Sequence, residues 1–148
     1  MSTYSFQDVT ATLVGPTGNV SLGYGSASAE EGISIDMAGD KNTMMIGADG
    51  EGMHSLHADK SGTVTIRLLQ TSPTNAKLQA MYNAQTLSSA LHGQNLIQVR
   101  NTQSGDSTTA RNCAFKKKPT VSYSKDGKVN EWVFDSLKID TILGTYAA

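Results

Sequence analysis

The sequence predicts a mainly β protein: an antiparallel β-sandwich or small barrel, with one flanking α-helix at about residues 72–92 and a long protruding β-hairpin, or arm, at about residues 38–57. Three observations predict it. Short segments in which apolar and polar residues alternate recur along the chain, and a period of two is typical of half-buried strands. One segment alone changes to a helical period. Between two strands lies an insert far longer than the roughly 2–5 residues of an ordinary hairpin loop.

Size and composition agree with this fold class. The 148 residues predict a single domain spanning 1–148. Hydrophobic content is 38% and charged content 17%, which suits a β-rich protein with many turns. One cysteine, Cys113, excludes an internal disulfide, and no apolar run is long enough to predict a membrane span. The N-terminus lacks the basic and apolar regions of a secretory signal, so we expect synthesis in a cytoplasm.

Charge is distributed unevenly along the chain. Residues 1–60 hold eight acids and two bases, a balance of −6, whereas residues 61–148 hold ten bases and five acids, a balance of +5. The two balances sum to the net charge of −1. This asymmetry permits head-to-tail contacts between copies, although the two signs could also interleave on one folded surface.

The first part of the chain predicts three strands. Phe6–Val14 alternates, residues 15–19 form a turn, and residues 20–24 continue the alternation, so we expect a hairpin. The small, polar residues 26–31 predict a connector. Gly32–Met37 alternates again and predicts the third strand.

The insert at 38–57 is the stretch around which the prediction is organised. It is acidic and rich in glycine, yet it carries three methionines and an isoleucine, each of which would stabilise by roughly 1.5–3 kcal/mol if fully buried. Two compatible interpretations stay open. Either the arm is ordered against a neighbouring copy, or Asn42–Gly47 pairs with Gly52–His57 as an extra strand pair on its own domain. The candidate contact residues are Asp40, Lys41, Met44, Met45, Ile46, Asp49, Glu51 and Met53.

A strand and then the helix follow the insert. Gly62–Leu69 is the most regular alternating segment in the chain. Ser72 is predicted as the N-cap, with proline at the first helical position. No glycine or proline interrupts residues 74–91, and Gly93 provides a stop. The stripe that we expect to cover one face of the sheet contains Leu78, Met81, Tyr82 and Gln85.

The remaining chain predicts antiparallel strands. Leu96–Asn101 and Thr108–Phe115 flank one turn, and Val121–Ser124 and Val129–Phe134 flank a hairpin turn at residues 125–128.

Two local features modify these strands. The run Lys116–Lys118 followed by Pro119 predicts a sheet edge, where lysines discourage aggregation and proline is tolerated. A bulge near residues 135–136 would bring four apolar side chains of the last strand into one core. These are Trp132, Phe134, Leu137 and Ile139.

No constellation predicts catalysis, a cofactor or a metal, so we expect a protein that is not an enzyme. His54 and His57 are the densest ligand-type residues, but positions three apart on a strand point to opposite faces. No cysteine or further histidine completes a zinc site there. Cys113 lacks the partners of a nucleophile and is expected in the core. The pI of about 6.3 and a single basic run do not favour nucleic-acid binding.

The order of the elements, taken with three short segments, carries a resemblance. The segments are Tyr4–Val9, Cys113–Lys117 with Pro119 after it, and the closing strand with Trp132 and Phe134. On these residues, and over nearly the whole chain, the sequence resembles the tail tube proteins of contractile-tailed bacteriophages, a family long catalogued as a domain of unknown function.

The resemblance implies a structural virion protein. Subunits of this family form hexameric rings, which stack into the inner tube of the tail and conduct double-stranded DNA into the host. It implies partners in the same protein, the tail sheath, the tail terminator, the baseplate and the tape-measure protein, with no cofactor. It also implies assembly in the host cytoplasm. The arm at 38–57 would match the long hairpin that tube proteins extend onto an adjacent subunit or ring.

Two other readings of the chain stay open. One is the tube ring of a related bacterial contractile or secretion injection system. The other is a non-catalytic β-sandwich ligand-binding module of a tail. The second would favour exposed aromatic side chains, and the chain has nine aromatic residues in all.

Overall fold

The computed structural model describes residues 2–25 and 27–146, with the backbone alone at 28–31. It confirms a mainly β fold with one α-helix, a seven-stranded antiparallel sheet and a separate two-stranded sheet. In chain order the elements are a 3-10 turn (Phe6–Asp8), β1 (Val9–Gly15), β2 (Gly18–Ser21), β3 (Ser28–Met37), β4 (Asn42–Ile46), β5 (Gly52–Leu56), β6 (Gly62–Leu69), α1 (Thr74–Gln85), β7 (Asn95–Asn101), β8 (Asp106–Lys117) and β9 (Val129–Ile142).

The large sheet is rolled. Its strand order is β2-β1-β7-β8-β9-β6-β3, so five spacings separate β1 from β3, or about 24 Å in a flat sheet. Yet Cε1 of Phe6, three residues before β1 begins, lies 3.5 Å from the position that a Cβ would take on Gly32 of β3. Phe6, Val9, Ile33 and Val99 also line one cleft. The start of β1 therefore approaches β3 at the far edge of the sheet, so the sheet curls round as in a small barrel.

The core lies inside this roll and under α1. In β6 every second residue is buried, from Gly62 to Leu68, as the alternation predicts. Phe115 sits at the centre, with its ring centroid 4.6 Å from that of Phe134 and 6.0 Å from that of Trp132. Tyr82 of α1 meets the same ring edge-on at 5.7 Å. The other buried apolar residues are Ala11, Leu13, Val20, Leu22, Val64, Ile66, Leu78, Met81, Ile97, Ala110, Cys113 and Ile139.

The helix is shorter than predicted. It covers the sheet with the predicted stripe but ends at Gln85 rather than near residue 92. The hydroxyl of Thr86 donates to the Tyr82 carbonyl at 2.8 Å, and the serines that follow favour turns over helix. Leu87 is consequently exposed. Gly93, with a φ of 76°, ends a series of turns instead of the helix itself.

The predicted strand at Val121–Ser124 is wrong. Residues 118–128 carry no strand. Side chains take the carbonyls that a ladder would have used: Lys128 Nζ donates to the Thr120 carbonyl, and Gln70 Nε2 donates to the Ser122 carbonyl at 3.5 Å. The loop is held by the side chains of Gln70, which follows β6, and of its own Lys128, and it leaves Tyr123 exposed.

The closing strand changes face later than predicted. Trp132, Phe134 and Ile139 are buried, but Leu137 is 66% exposed. Ser136 occupies the interior position instead, and its hydroxyl donates to the Arg111 carbonyl at 2.8 Å.

The facing strand β8 changes parity at the same level, where both Arg111 and Asn112 are exposed and Asn112 has a φ of 54°. The register between β8 and β9 is the same before and after Arg111 and Asn112, whereas the register between β7 and β8 shifts there by one residue.

The predicted connector at 26–31 is strand for most of its length. β3 begins at Ser28, which pairs with Leu68, and the register then shifts before Ile33 pairs with Ile66. Ser26 lies outside the described residues.

Candidate assembly surface

The strand pair expected at 42–47 and 52–57 forms, as β4 and β5. Each strand begins at the predicted residue and ends one residue earlier, and in the antiparallel register Asn42 pairs with Leu56 and Ile46 with Gly52. The pair is a sheet of its own and does not extend the seven-stranded sheet. We call residues 38–57 the arm.

The arm stands away from the rest of the chain. β4 and β5 pack extensively only with each other, and every residue in them is exposed except the half-buried Ser55. The candidate contact residues divide along it. Asp40 and Lys41 lie at the base; Met44, Met45 and Ile46 lie in β4; Asp49 and Glu51 lie in the turn; Met53 lies in β5.

Apolar side chains occupy both faces of the arm. Because cross-strand partners share a face, Met44, Ile46 and Leu56 lie on one face with His54, whereas the pair Met45 and Met53 lies on the other. These five apolar side chains are between 55% and 86% exposed. Because Met44, Met45 and Ile46 are consecutive, a strand already points them to alternate faces, and the cross-strand register adds which residues of β5 join each face.

A lysine fixes the base of the arm to the body. Lys41 Nζ donates to the carbonyls of His57 at 3.2 Å and Asp59 at 2.7 Å. The Ala38 amide donates to the Ser61 carbonyl at 3.0 Å, so the arm emerges where β3 ends and β6 begins. Hydrogen bonds from Ser61 hold the pKa of Asp59 below its usual value.

The two histidines diverge, as predicted. His54 Nδ1 lies 3.2 Å from Asn42 Nδ2, and His57 Nε2 lies 2.7 Å from Thr43 Oγ1. Asn42 and Thr43 are neighbours on one strand and point to opposite faces. Among the described residues, no group of three or more His, Cys, Asp or Glu side chains is placed to hold a metal ion.

The arm ends in an acidic turn at residues 47–51. The Gly47 amide donates to the Glu51 carbonyl at 2.7 Å, and Asp49 Oδ1 accepts from the Glu51 amide at 3.1 Å. Gly50 takes a φ of 91°, which favours glycine. Glu51, the last residue of this turn, is exposed.

A second, basic surface lies elsewhere on the chain. Lys117, Lys118 and Lys128 line a cleft of about 240 Å³ with Val129 and Val133. Its other lining residues are Pro119, Thr120 and Glu131. We call it the lysine cleft. The sequence predicts the lysine run as a sheet edge. Lys128 comes close to that run because Lys117 pairs with Val133 near the start of β9, and the spacing of the lysines in the sequence does not show this pairing.

The arm and the outer end of the lysine cleft lie towards opposite ends of β6. The arm emerges beside Gly62, while Lys128 exchanges hydrogen bonds with Gln70, just past Leu69. Seven steps along an antiparallel strand span about 24 Å. No residue of the arm lines the cleft of its own chain.

Cys113 is buried in the core, as predicted. Burial raises the pKa of its thiol, and Sγ donates to the Ala110 carbonyl at 3.3 Å. Along the part of the chain that the structure describes, helices fall short of the length and apolarity that crossing a bilayer requires.

Comparison with known proteins agrees with this fold. The chain is similar to the extracellular contractile injection system PVC sheath-tube complex in its extended state, at 13% identity and a TM-score of 0.64, covering 94% of this chain and 90% of the other. It is also similar to the PVC sheath/tube terminator in its extended state, at 14% identity and a TM-score of 0.62, with 96% and 98% covered. A third is the anti-feeding prophage cap, at 10% identity and 0.58, with 97% and 93% covered.

At these identities the likeness shows a shared fold. No curated protein sequence matches the chain significantly. The family model of the bacteriophage PhiTE tail tube protein, by contrast, matches residues 1–144, nearly the whole chain. The chain therefore belongs to the bacteriophage PhiTE tail tube protein family, and its role is that of a structural protein of a phage tail tube.

Proposed function

We propose that this protein assembles into hexameric rings, that the rings stack into the inner tube of a phage tail, and that double-stranded DNA leaves the virion through that tube. It acts as one domain, residues 1–148, with an assembly arm at 38–57. The observation that carries the proposal is the arm: a two-stranded sheet with large apolar side chains on both faces, uncovered by its own chain. An isolated hairpin of this kind is marginally stable in water, so a neighbouring molecule is the natural source of its order.

Two exposed faces fit a tube better than a single ring. Contacts around a ring and contacts along a stack are both heterologous, so each subunit needs two different pairs of complementary surfaces. An arm with one apolar face can be covered by one neighbour, whereas an arm with two apolar faces fits between two. The contact residues of this arm are Asp40, Lys41, Met44, Met45, Ile46, Asp49, Glu51 and Met53.

The proposed role as a conduit agrees with the weak charge of the chain. A surface that neutralised many phosphates would hold DNA with a strong, salt-dependent affinity and slow its passage. The net charge is −1 and the first sixty residues carry −6. The protein then acts without catalysis or a cofactor, is assembled in the host cytoplasm, and meets the sheath, terminator, baseplate and tape-measure proteins of its own tail.

Shortening the arm tests this proposal. The His57 amide donates to the Lys41 carbonyl at 2.9 Å, so these two residues already face each other at its base. Replacing residues 42–56 with Asn-Gly closes the same hairpin by a two-residue turn. We expect the wild type to form rings and tubes in electron micrographs and to sediment as large particles. We expect the variant to sediment as a small species whose circular dichroism spectrum loses no more strand signal than β4 and β5 account for. Normal tubes from a folded variant would exclude the arm as the assembly element.

The fold of the solved relatives favours one alternative, the tube ring of a contractile injection system, because the PVC sheath-tube complex shares it. Sequencing of the neighbouring genes separates the two, since a phage tail gene lies among capsid and DNA-packaging genes. The ligand-binding module predicts instead a monomer by light scattering that binds glycans.

A further inference from the structure

We propose that the lysine cleft of one copy receives the acidic turn of the arm of another copy, so that successive molecules join end to end. This proposal rests on the proposed function and names the surface that the arm contacts. It commits the cleft to a second copy of this chain rather than to nucleic acid or to a different protein.

The first support is unbalanced charge in the cleft. Within the described residues, no carboxylate lies within ion-pair distance of Lys117, Lys118 or Lys128. The one acid that lines the cleft, Glu131, lies 3.5 Å from Arg67 Nε and is balanced there. Lys128 is held in place because its Nζ donates to the Thr120 carbonyl and to Ser122 Oγ at 2.7 Å. The cleft therefore presents a cationic rim in which Lys128 is held in place.

The second support is the matching character of the turn. Asp49 and Glu51 place two carboxylates at the tip, and the structure gives neither an ion pair among the described residues. Just behind them Ile46 lies across Gly52, with its Cδ1 2.8 Å from the position that a Cβ would take. The tip is thus acidic in front and apolar behind.

The cleft has the complementary order. Lysines form its rim, and Val129 and Val133 contribute apolar surface beside them. Opposite charges at the rim steer two surfaces together and fix their register, while the apolar contact supplies burial.

The third support is position. The base of the arm lies at the Gly62 end of β6, and Lys128 lies past the Leu69 end. Two complementary surfaces placed towards opposite ends of one strand form a heterologous contact, which repeats along an open stack when the rotation between copies does not close it into a ring. Each added copy presents a new arm at one end and a new cleft at the other, which is the geometry that a stack requires.

A charge exchange between the two surfaces tests the proposal. In the full-length protein, D49K/E51K reverses the tip and K117E/K118E reverses the rim. We expect each double variant to raise the protein concentration needed for tube formation at least tenfold, and their combination to return it to within about threefold of the wild type. The control is K77E, which reverses an exposed lysine of α1 away from both surfaces and should leave assembly unchanged.

The outcomes separate this contact from the proposed function. If wild-type protein forms no rings or tubes, the proposed function fails. If wild type forms tubes and the two double variants do so equally well, or if each fails and the combination does not recover, the lysine cleft is not the partner of the turn. Circular dichroism on each variant confirms that the fold is intact. Failure of K77E to assemble would likewise overturn the proposal, because assembly would then follow overall charge.

Discussion

Gln85 and Asn95 form a reciprocal amide pair inside the molecule. Gln85 Nε2 donates to Asn95 Oδ1 at 2.8 Å, Asn95 Nδ2 donates to Gln85 Oε1 at 2.6 Å, and each residue is 1% exposed. Gln85 also donates to Thr17 Oγ1 at 3.1 Å. The pair therefore ties the last turn of α1 to the start of β7 and to the β1–β2 turn.

Replacing one amide of this pair should destabilise the fold. In Gln85→Leu, Asn95 remains buried with its amide unsatisfied, and we expect the free energy of unfolding to fall by about 1–3 kcal/mol. Urea denaturation measures it. The double variant Q85L/N95L should recover part of the loss, because removing both partners leaves no unsatisfied group. A single variant as stable as the wild type would show that the pair contributes little.

The apolar faces of the arm can be tested one at a time. In M45S/M53S one face loses both methionines, and we expect the concentration needed for tube formation to rise more than tenfold. Burying each side chain is worth roughly 1.5–3 kcal/mol, and about 1.4 kcal/mol is a factor of ten. Thermal unfolding of the unassembled chain should change little, because both methionines are exposed there.

The matched control for that variant is Leu87→Ser, which removes an exposed apolar side chain from the turn after α1. It should assemble as the wild type does. If M45S/M53S also assembles normally, that face of the arm is not covered by a neighbour.

Cys113 should resist thiol reagents in the native protein. Its side chain is buried and burial raises the pKa of the thiol, so both access and the thiolate fraction are low. At neutral pH we expect labelling by a maleimide to be slow and to accelerate at least a hundredfold in denaturant. Mass spectrometry follows the reaction. Rapid labelling of folded protein would contradict the placement of Cys113 in the core.

Asp140 should contribute a pH-dependent stabilisation. Hydrogen bonds from Lys60 and Arg111 hold its pKa below the usual 3.8. Because the folded pKa is lowered, the stabilisation is present above 3.8 and is lost as the pH falls through the folded value. We expect Asp140→Asn to lower the melting temperature slightly at pH 7 and not at all at the lowest pH at which both proteins fold. The effect is small because the side chain is exposed and solvent screens it.

Thermal melts of both proteins between pH 2 and pH 7 measure the difference. Asp59, whose pKa is also lowered, is present in both proteins, so its contribution cancels in the difference between their melting temperatures. If the difference in melting temperature between the wild type and Asp140→Asn grew towards low pH, it would have the wrong sign for this explanation.

Local pattern predicted the parts of the fold that depend on alternation. β6 begins and ends at the predicted residues because its inward side chains are all apolar or glycine, while Thr63, Thr65 and Arg67 alternate with them on the outer face. The stripe of α1 was predicted for the same reason. The helix end was not, because it depends on Thr86 binding the Tyr82 carbonyl, which competes with the next helical turn.

Tertiary contacts decided the elements that were predicted wrongly. The pattern at Val121–Ser124 suits a strand, but Gln70 binds the Ser122 carbonyl, and Lys128 binds the Ser122 hydroxyl and the Thr120 carbonyl just before the segment. Leu137 is apolar and was expected inside, yet the hydroxyl of Ser136 takes the interior position by bonding the Arg111 carbonyl. The strands of the arm were predicted within one residue, whereas the lysine cleft required the pairing of Lys117 with Val133.

The placement of the arm and Lys128 at opposite ends of β6 has a mechanical consequence. In a stack joined as proposed, a pull along the tube runs lengthwise through β6 and β9, whose eight register pairs extend from Gly62 with Ser136 to Leu69 with Val129. Ladder hydrogen bonds lie perpendicular to their strands, so such a pull shears them all together instead of opening them one after another. Each subunit would then resist tension along the tube with all of these ladder hydrogen bonds at once.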